Sequence, residues 1–158
     1  MSVKPIPDHY DSLIPYLCLK DAAKAIEFYK KVFGATELVR MPSPDGTKVM
    51  HAELKFRGHV LMLGEENHQM GAVGPQPGGP PPPASVFFYV EDVDALFKNA
   101  VANGAKNLQP PTDMFWGDRY AKFLDPFGHL WAIATHTHDV SPEEMAKAAT
   151  EWAKKDQG

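Results

Sequence analysis

Apolar positions along the chain follow two rhythms that alternate in a fixed order. Residues 13–35, LIPYLCLKDAAKAIEFYKKVFGA, open with a short apolar run and then place Ala22, Ile26, Tyr29 and Phe33 at spacings of three and four. That spacing predicts a strand followed by an amphipathic helix, with Asp21 and Gly34 supplying the chemistry of its two caps. Residues 84–105, ASVFFYVEDVDALFKNAVANGA, repeat the order, with Val93, Leu96, Phe97 and Val101 on one stripe between Asp92 and Gly104. Three further strand patterns follow each helix. In the first set, the segment from Lys48 to Phe56 alternates in character, and Arg57-Gly58 makes a two-residue hairpin into His59 to Leu63. Pairing across that turn predicts Met50, Ala52, Leu54 and Phe56 with His59, Leu61 and Leu63 on the face toward the helix. Val49, His51, Glu53 and Lys55 then share the opposite face with Val60 and Met62.

The closing strands match as well. Arg57-Gly58-His59-Val60-Leu61-Met62-Leu63 corresponds to Phe127-Gly128-His129-Leu130-Trp131-Ala132-Ile133, 70 positions later. Between the halves lies GAVGPQPGGPPPP, residues 71–83, whose missing N–H groups and fixed φ angles exclude both helix and sheet. An internal repeat joined by a proline linker predicts an α+β domain of two βαβββ modules in tandem, about residues 12–66 and 84–138. The expected arrangement is pseudo-twofold, with curled mixed sheets around a shared cavity. A C-terminal helix is expected over 142–155, where Ser141, Pro142 and Glu144 form a capping box and Met145, Ala148, Ala149 and Trp152 a stripe that needs cover. That cover is either its own sheet or a second subunit.

With 158 residues, 44% of them apolar and 23% charged, the chain has the balance of an ordinary globular domain with a self-sufficient core. A net charge of −4 gives no electrostatic footprint for a polyanion, so nucleic acid is not an expected partner. No apolar run approaches the roughly 18 residues of a membrane span. The opening residues MSVKPIPDHYDS lack the apolar stretch of a secretory signal, and Cys18 has no partner for an internal disulfide. A cytoplasmic protein is expected.

His51 and Glu53 are the strongest polar pair: two apart on a strand, they share a face and can orient a ligand or act as general base. The plainer alternative is a solvated face with Lys55. By strand parity Tyr16, Phe87, Tyr89 and Phe123 point to the interior, and Trp116 and Arg119 approach it from MFWGDRY. They fill a core or line a partly wet ligand pocket; the polar tips of Tyr and Arg favour the pocket. Arg119 has Asp118 and Asp113 as alternative partners. His136-Thr137-His138-Asp139 has the residue types of a metal cluster but reads better as an exposed strand end. His59 and His129 read as structural residues at strand entrances, and Cys18 as an inert, inward-facing thiol. No Ser-His-Asp order, phosphate loop or zinc spacing is present.

In its paired modules, the helix segment AIEFYKKVFGA and the turn Asp125-Pro126-Phe127-Gly128-His129, the chain resembles the vicinal oxygen chelate superfamily. That superfamily holds glyoxalase I, extradiol dioxygenases, fosfomycin resistance enzymes and bleomycin resistance proteins. KVMHAELKFRGHVLML and PPTDMFWGDRYAKFLDPFGHLWAIATH look like its PhnB-like, glyoxalase-like branch, and the resemblance covers about residues 12–140. It implies a divalent metal held by four His or Glu side chains, on the first and fourth strand of each module. Those places fall on Ile14, Met62, Ser85 and Ala132, none of which offers imidazole or carboxylate. A slip of two residues brings in Tyr16, Gly64, Phe87 and Leu130 or Ala134 instead. No family metal and no cofactor are therefore expected, while a metal held through other ligands such as His51 and Glu53 stays open. The first reading is a binding module of the bleomycin-resistance kind. In it His51 and Glu53 orient a small polar or aromatic molecule in the inter-module cavity, among Tyr16, Phe87, Trp116 and Arg119. The alternatives are a metal-dependent lyase, isomerase or dioxygenase, and a metal-free enzyme with Glu53 or His51 as general base. The resemblance, together with the Trp152 stripe, implies a homodimer.

Overall fold

The computed structural model describes residues 4–8, 10, 13–76 and 78–155. Ser12, the first residue expected for module one, and Pro77 of the linker lie outside them. The chain divides into two compact units, one of Met1–Pro82 with Pro126–His129 and one of Pro83–Asp125 with Leu130–Gly158.

The first unit runs β1 (Tyr16–Leu19), α1 (Ala22–Phe33), β2 (Thr36–Pro42), β3 (Val49–Phe56) and β4 (His59–Glu65), then a short 3-10 turn over His68–Met70. Its sheet has the order β1-β4-β3-β2; β1 is parallel to β4 and the other pairs are antiparallel. The expected caps close α1: the Asp21 carboxylate accepts from the Lys24 amide at 3.1 Å and Gly34 takes the left-handed conformation at φ 67°. The β3–β4 register is the one hairpin parity predicts, with Leu54 opposite Leu61 and Glu53 opposite Met62. Leu17, Leu19, Ala52, Leu54, Leu61 and Leu63 are buried with Ala22, Ile26 and Tyr29 of α1, so one face of the sheet is sealed by the helix. Met50, expected on that face, is half exposed. The proline-rich segment is held locally: the Gly74 amide donates to Glu66 Oε1 at 2.9 Å, and Lys20 Nζ donates to Gln76. A Cβ on Gly74 would lie 2.3 Å from the Cys18 carbonyl oxygen, so only glycine fits there.

The second unit repeats the plan as β5 (Ser85–Tyr89), α2 (Val93–Ala102), β6 (Lys106–Asp113), β7 (Asp118–Leu124) and β8 (Leu130–His136), in the order β5-β8-β7-β6. Pro110 and Pro111 sit in β6, an edge strand with an irregular register, where a missing amide costs no internal ladder bond. Val93 and Ala100 of α2 are buried with Ala121, Phe123, Trp131 and Ile133, whereas Val101, expected on the buried stripe, is exposed. In both units the last strand caps the helix: Glu65 accepts from the Ala22 amide and Thr135 Oγ1 from the Val93 amide, each at 2.9 Å. Burial raises the Glu65 carboxyl above its ordinary value.

The third helix, α3 (Pro142–Lys155), starts with the predicted capping box. Ser141 Oγ accepts from the Glu144 amide at 3.3 Å and the Glu144 carboxylate accepts from the Ser141 amide at 3.0 Å. Trp152 packs on Phe115, ring centroids 6.0 Å apart, and keeps 48% of its surface exposed. Among the described residues, no helix is long and apolar enough to cross a membrane.

Candidate functional site

Each sheet has a second face, turned away from its helix, and register decides which residues occupy it. In the first unit, pairing places Tyr16 beside Met62 and Cys18 beside Gly64, with Val39 opposite Glu53 and Met41 opposite His51. Four side chains on this face are joined by hydrogen bonds. Tyr10 Oη donates to Glu53 Oε1 at 2.7 Å; His51 Nε2 lies 3.3 Å from the same oxygen; and Tyr16 Oη lies 3.3 Å from His51 Nδ1. The Tyr16 and His51 rings stack at 5.8 Å. Glu53 is only 7% exposed, whereas Tyr16 is 51% exposed. The sequence pairing of His51 with Glu53 and Tyr16 is thus realised on one face. Tyr10, which has no local signal, joins through tertiary packing. Its hydrogen bond to Glu53 raises the Tyr10 phenol above its ordinary value, and burial does the same for Tyr16. Cys18 stands on this face as expected, and burial raises its thiol too, which disfavours the thiolate a nucleophile needs.

In the second unit the corresponding face carries Phe87 and Tyr89 of β5, Ala132, Ala134 and His136 of β8, and Asp118, Tyr120 and Lys122 of β7. Phe87 and Tyr89 are 46% and 50% exposed. Their rings meet edge to face at 5.1 Å; Phe87 stacks on Tyr120 at 6.2 Å, and Trp116 meets Tyr120 at 6.0 Å. Beneath the rings lies Asp118, only 4% exposed. Its Oδ2 accepts from Tyr89 Oη at 2.9 Å and from Trp116 Nε1 at 3.0 Å, while its Oδ1 lies 2.8 Å from His136 Nδ1. His136 Nε2 is 3.0 Å from Asp139. Hydrogen bonds to Asp118 first, then Asp139, raise the His136 pKa above 6.5. Gly117, at φ 92°, leaves space for the following chain: a Cβ there would lie 2.1 Å from the His138 carbonyl oxygen.

Two sequence expectations are corrected here. Phe123 is fully buried against Phe97 of α2, and Arg119 reaches Asp94 of α2 at 2.6 Å and Asp113 at 3.0 Å. Both lie on the helix-covered face. The cause is a single residue: between matched positions the β7–β8 connection is one longer than the β3–β4 hairpin, so Phe123 pairs with Trp131 as Leu54 pairs with Leu61. A one-residue difference reverses every side chain of the strand. The Arg119–Asp113 pairing, held open in the sequence, is present. Asp118, Tyr120 and His136 occupy the opposite face in their place. His136, read as an exposed strand end, is half exposed but held between two carboxylates. His129 is structural as expected, its Nε2 lying 3.0 Å from the Cys18 carbonyl oxygen within the first unit.

The four family metal positions can be placed on this frame. Met62 and Ala132 stand beside Tyr16 and Phe87, Ser85 opens β5, and Ile14 precedes β1. A thioether, a methyl group, a hydroxyl and an alkyl chain do not fit a divalent cation that requires imidazole or carboxylate. Among the described residues, no group of three His, Cys, Asp or Glu side chains is arranged to hold a metal ion elsewhere.

The tandem βαβββ plan is that of a known superfamily, and comparison agrees. The Glyoxalase/Bleomycin resistance protein/Dioxygenase superfamily profile matches residues 6–133, and the chain belongs to that superfamily. It is 41% identical over 141 residues to an uncharacterised protein of Mycobacterium bovis, covering 87% of this chain and 91% of that one. The anthracycline biosynthesis protein DnrV of Streptomyces peucetius is 29% identical over 121 residues, 72% of this chain and 42% of DnrV. Among solved structures, TioX from Micromonospora sp. ML1 aligns with TM-score 0.62 and 30% identity, over 80% of this chain and 98% of TioX. A PhnB protein from Bacillus cereus aligns with TM-score 0.62 at 17% identity, over 79% of this chain and 99% of that one, a likeness of fold.

Proposed function

We propose that the chain binds a planar aromatic small molecule with polar substituents on the sheet faces turned away from the helices, without the family metal. The observation that carries this reading is the group of rings Phe87, Tyr89, Tyr120 and Trp116, in which Phe87 and Tyr89 are half exposed and the polar tips of Tyr89 and Trp116 donate to the buried carboxylate of Asp118. Rings fixed at their polar ends present rigid apolar faces, and stacking on such faces adds to simple area burial. The name of DnrV, which ties that relative to anthracyclines, supports a fused-ring ligand. In the first unit, Tyr16, His51 and Glu53 offer polar contacts to a ligand on that unit's own face.

The test is thermal unfolding, followed by circular dichroism, with doxorubicin as probe and EDTA present. A ligand that binds only the native state raises the melting temperature by mass action. The wild type gains stability under these conditions, and Trp116→Ala and Glu53→Gln each reduce the gain. Stabilisation that requires added Mn or Zn would overturn the reading in favour of a metal-dependent lyase, isomerase or dioxygenase. The same reading takes the Trp152 face of α3 as a homodimer contact, and light scattering at 17.5 kDa across a wide concentration range would refute that.

A further inference from the structure

The hydrogen bonds around His51 have a direction, and that direction follows from which atoms can donate. Glu53 Oε1 accepts from the Tyr10 hydroxyl, so the ring nitrogen facing the same oxygen, Nε2 of His51, is the one that carries a proton. In a neutral imidazole the other nitrogen is then an acceptor. Nδ1 therefore receives the Tyr16 hydroxyl proton, and the Tyr16 oxygen turns its lone pairs outward. A hydroxyl in this state recognises a donor. The geometry is built rather than incidental, because Gly64 makes room for it. A Cβ at Gly64 would sit 3.0 Å from Tyr16 Oη and 2.5 Å from the Met50 carbonyl oxygen.

We infer that Tyr16, His51 and Glu53 form a proton-accepting relay that takes a phenolic or enolic ligand and draws off its hydroxyl proton. This rests on the binding reading above and names the group by which the ligand is recognised. In the step, the ligand O–H bond breaks as its proton moves to Tyr16 Oη, while the Tyr16 proton moves to His51 Nδ1. The ligand oxygen keeps the electron pair and becomes an anion, Tyr16 remains a neutral phenol, and His51 becomes an imidazolium held against Glu53. The raised pKa of Tyr16 suits a group that passes a proton on and does not keep the negative charge. Among the described residues, the other titratable groups toward this face include Lys55 of β3, Cys18 of β1, Tyr10 ahead of it and Glu66 just after β4, whose charge acts on Cys18, while Val39, Met41, Val60 and Met62 from β2 and β4 carry none.

Alizarin, a dihydroxyanthraquinone whose absorption moves to longer wavelength on ionisation, tests this directly, with anthraquinone as the partner probe that has no proton to give. At a pH below the ionisation of free alizarin, the wild type binds it as the anion, with its ionisation favoured at least tenfold, about one pH unit. Tyr16→Phe and His51→Gln, at protein concentrations high enough to load them, hold bound alizarin in its neutral form, and their affinity for anthraquinone falls less than their affinity for alizarin. An anionic spectrum in either variant, or a neutral one in the wild type, overturns the relay while leaving the binding reading intact. Failure of the wild type to bind either quinone removes both.

Discussion

The two sheet faces turned away from the helices carry the same kinds of group in different arrangements. The second unit sets Asp118 beneath a cluster of rings, with Tyr89, Trp116 and His136 donating to it. The first sets Glu53 in a line of hydroxyl, imidazole and carboxylate, among Val and Met side chains. The repeat does not place the two carboxylates equivalently. Counting from the matched pair Leu54 and Phe123, the counterpart of Glu53 is Lys122 and that of Asp118 is Val49. His51 answers to Tyr120 and Tyr16 to Phe87. By contrast, Glu65 and Thr135 are equivalent and perform one task with different oxygens, capping the helix of their own unit. What the repeat preserves is the backbone frame and its helix-covered face; the opposite faces have diverged into a relay and an aromatic platform.

That contrast can be broken at its strongest point first. Leu54→Ala and Ile133→Ala, on the helix-covered faces, lose roughly 3 kcal/mol each in urea unfolding, because both side chains are fully buried. Equal losses at Val39 or Met41 would show that the faces do not differ as described. Asp118→Ala follows, at about 2 kcal/mol, since it removes a buried charged acceptor that holds the Tyr89 hydroxyl and the Trp116 indole N–H. A loss no greater than that of an exposed carboxylate would mean that Asp118 does not organise the rings. Phe87→Ala changes stability by less than about 0.5 kcal/mol, as a half-exposed side chain should. It weakens doxorubicin binding about tenfold, the stacking share expected of one ring; unchanged affinity would move the ligand away from this platform. The smallest effect concerns pH. The His136 pKa is raised in the folded state, so its contribution is complete below the ordinary imidazole value of 6.5 and fades as pH rises through the folded value. The stability difference between wild type and His136→Gln therefore shrinks from pH 5.5 to 8.5 in paired melts, and a growing difference would contradict it.

Much of the frame follows from local rules alone. Asp21 and Gly34 cap α1, Asp92 opens α2, Ser141 and Glu144 begin α3, and the Arg57-Gly58 turn sets the β3–β4 register; each acts within a few residues of itself. For the same reason His51 and Glu53 are legible as a pair, since two positions on one strand share a face whatever the rest of the chain does. Tyr16 could be added by parity because β1 lies parallel to β4 in the register of Tyr16 with Met62. Arg119 and Phe123 of the second unit run against the repeat because one extra residue in a turn is invisible to a repeat aligned on its closing strands, yet it inverts the strand before it. Tyr10 at Glu53 and the convergence of Trp116, Tyr89 and His136 on Asp118 join residues from separate segments. Those contacts exist only once the strands are paired, because hydrogen-bond distance depends on where the backbone has been carried and not on the spacing of residues along the chain.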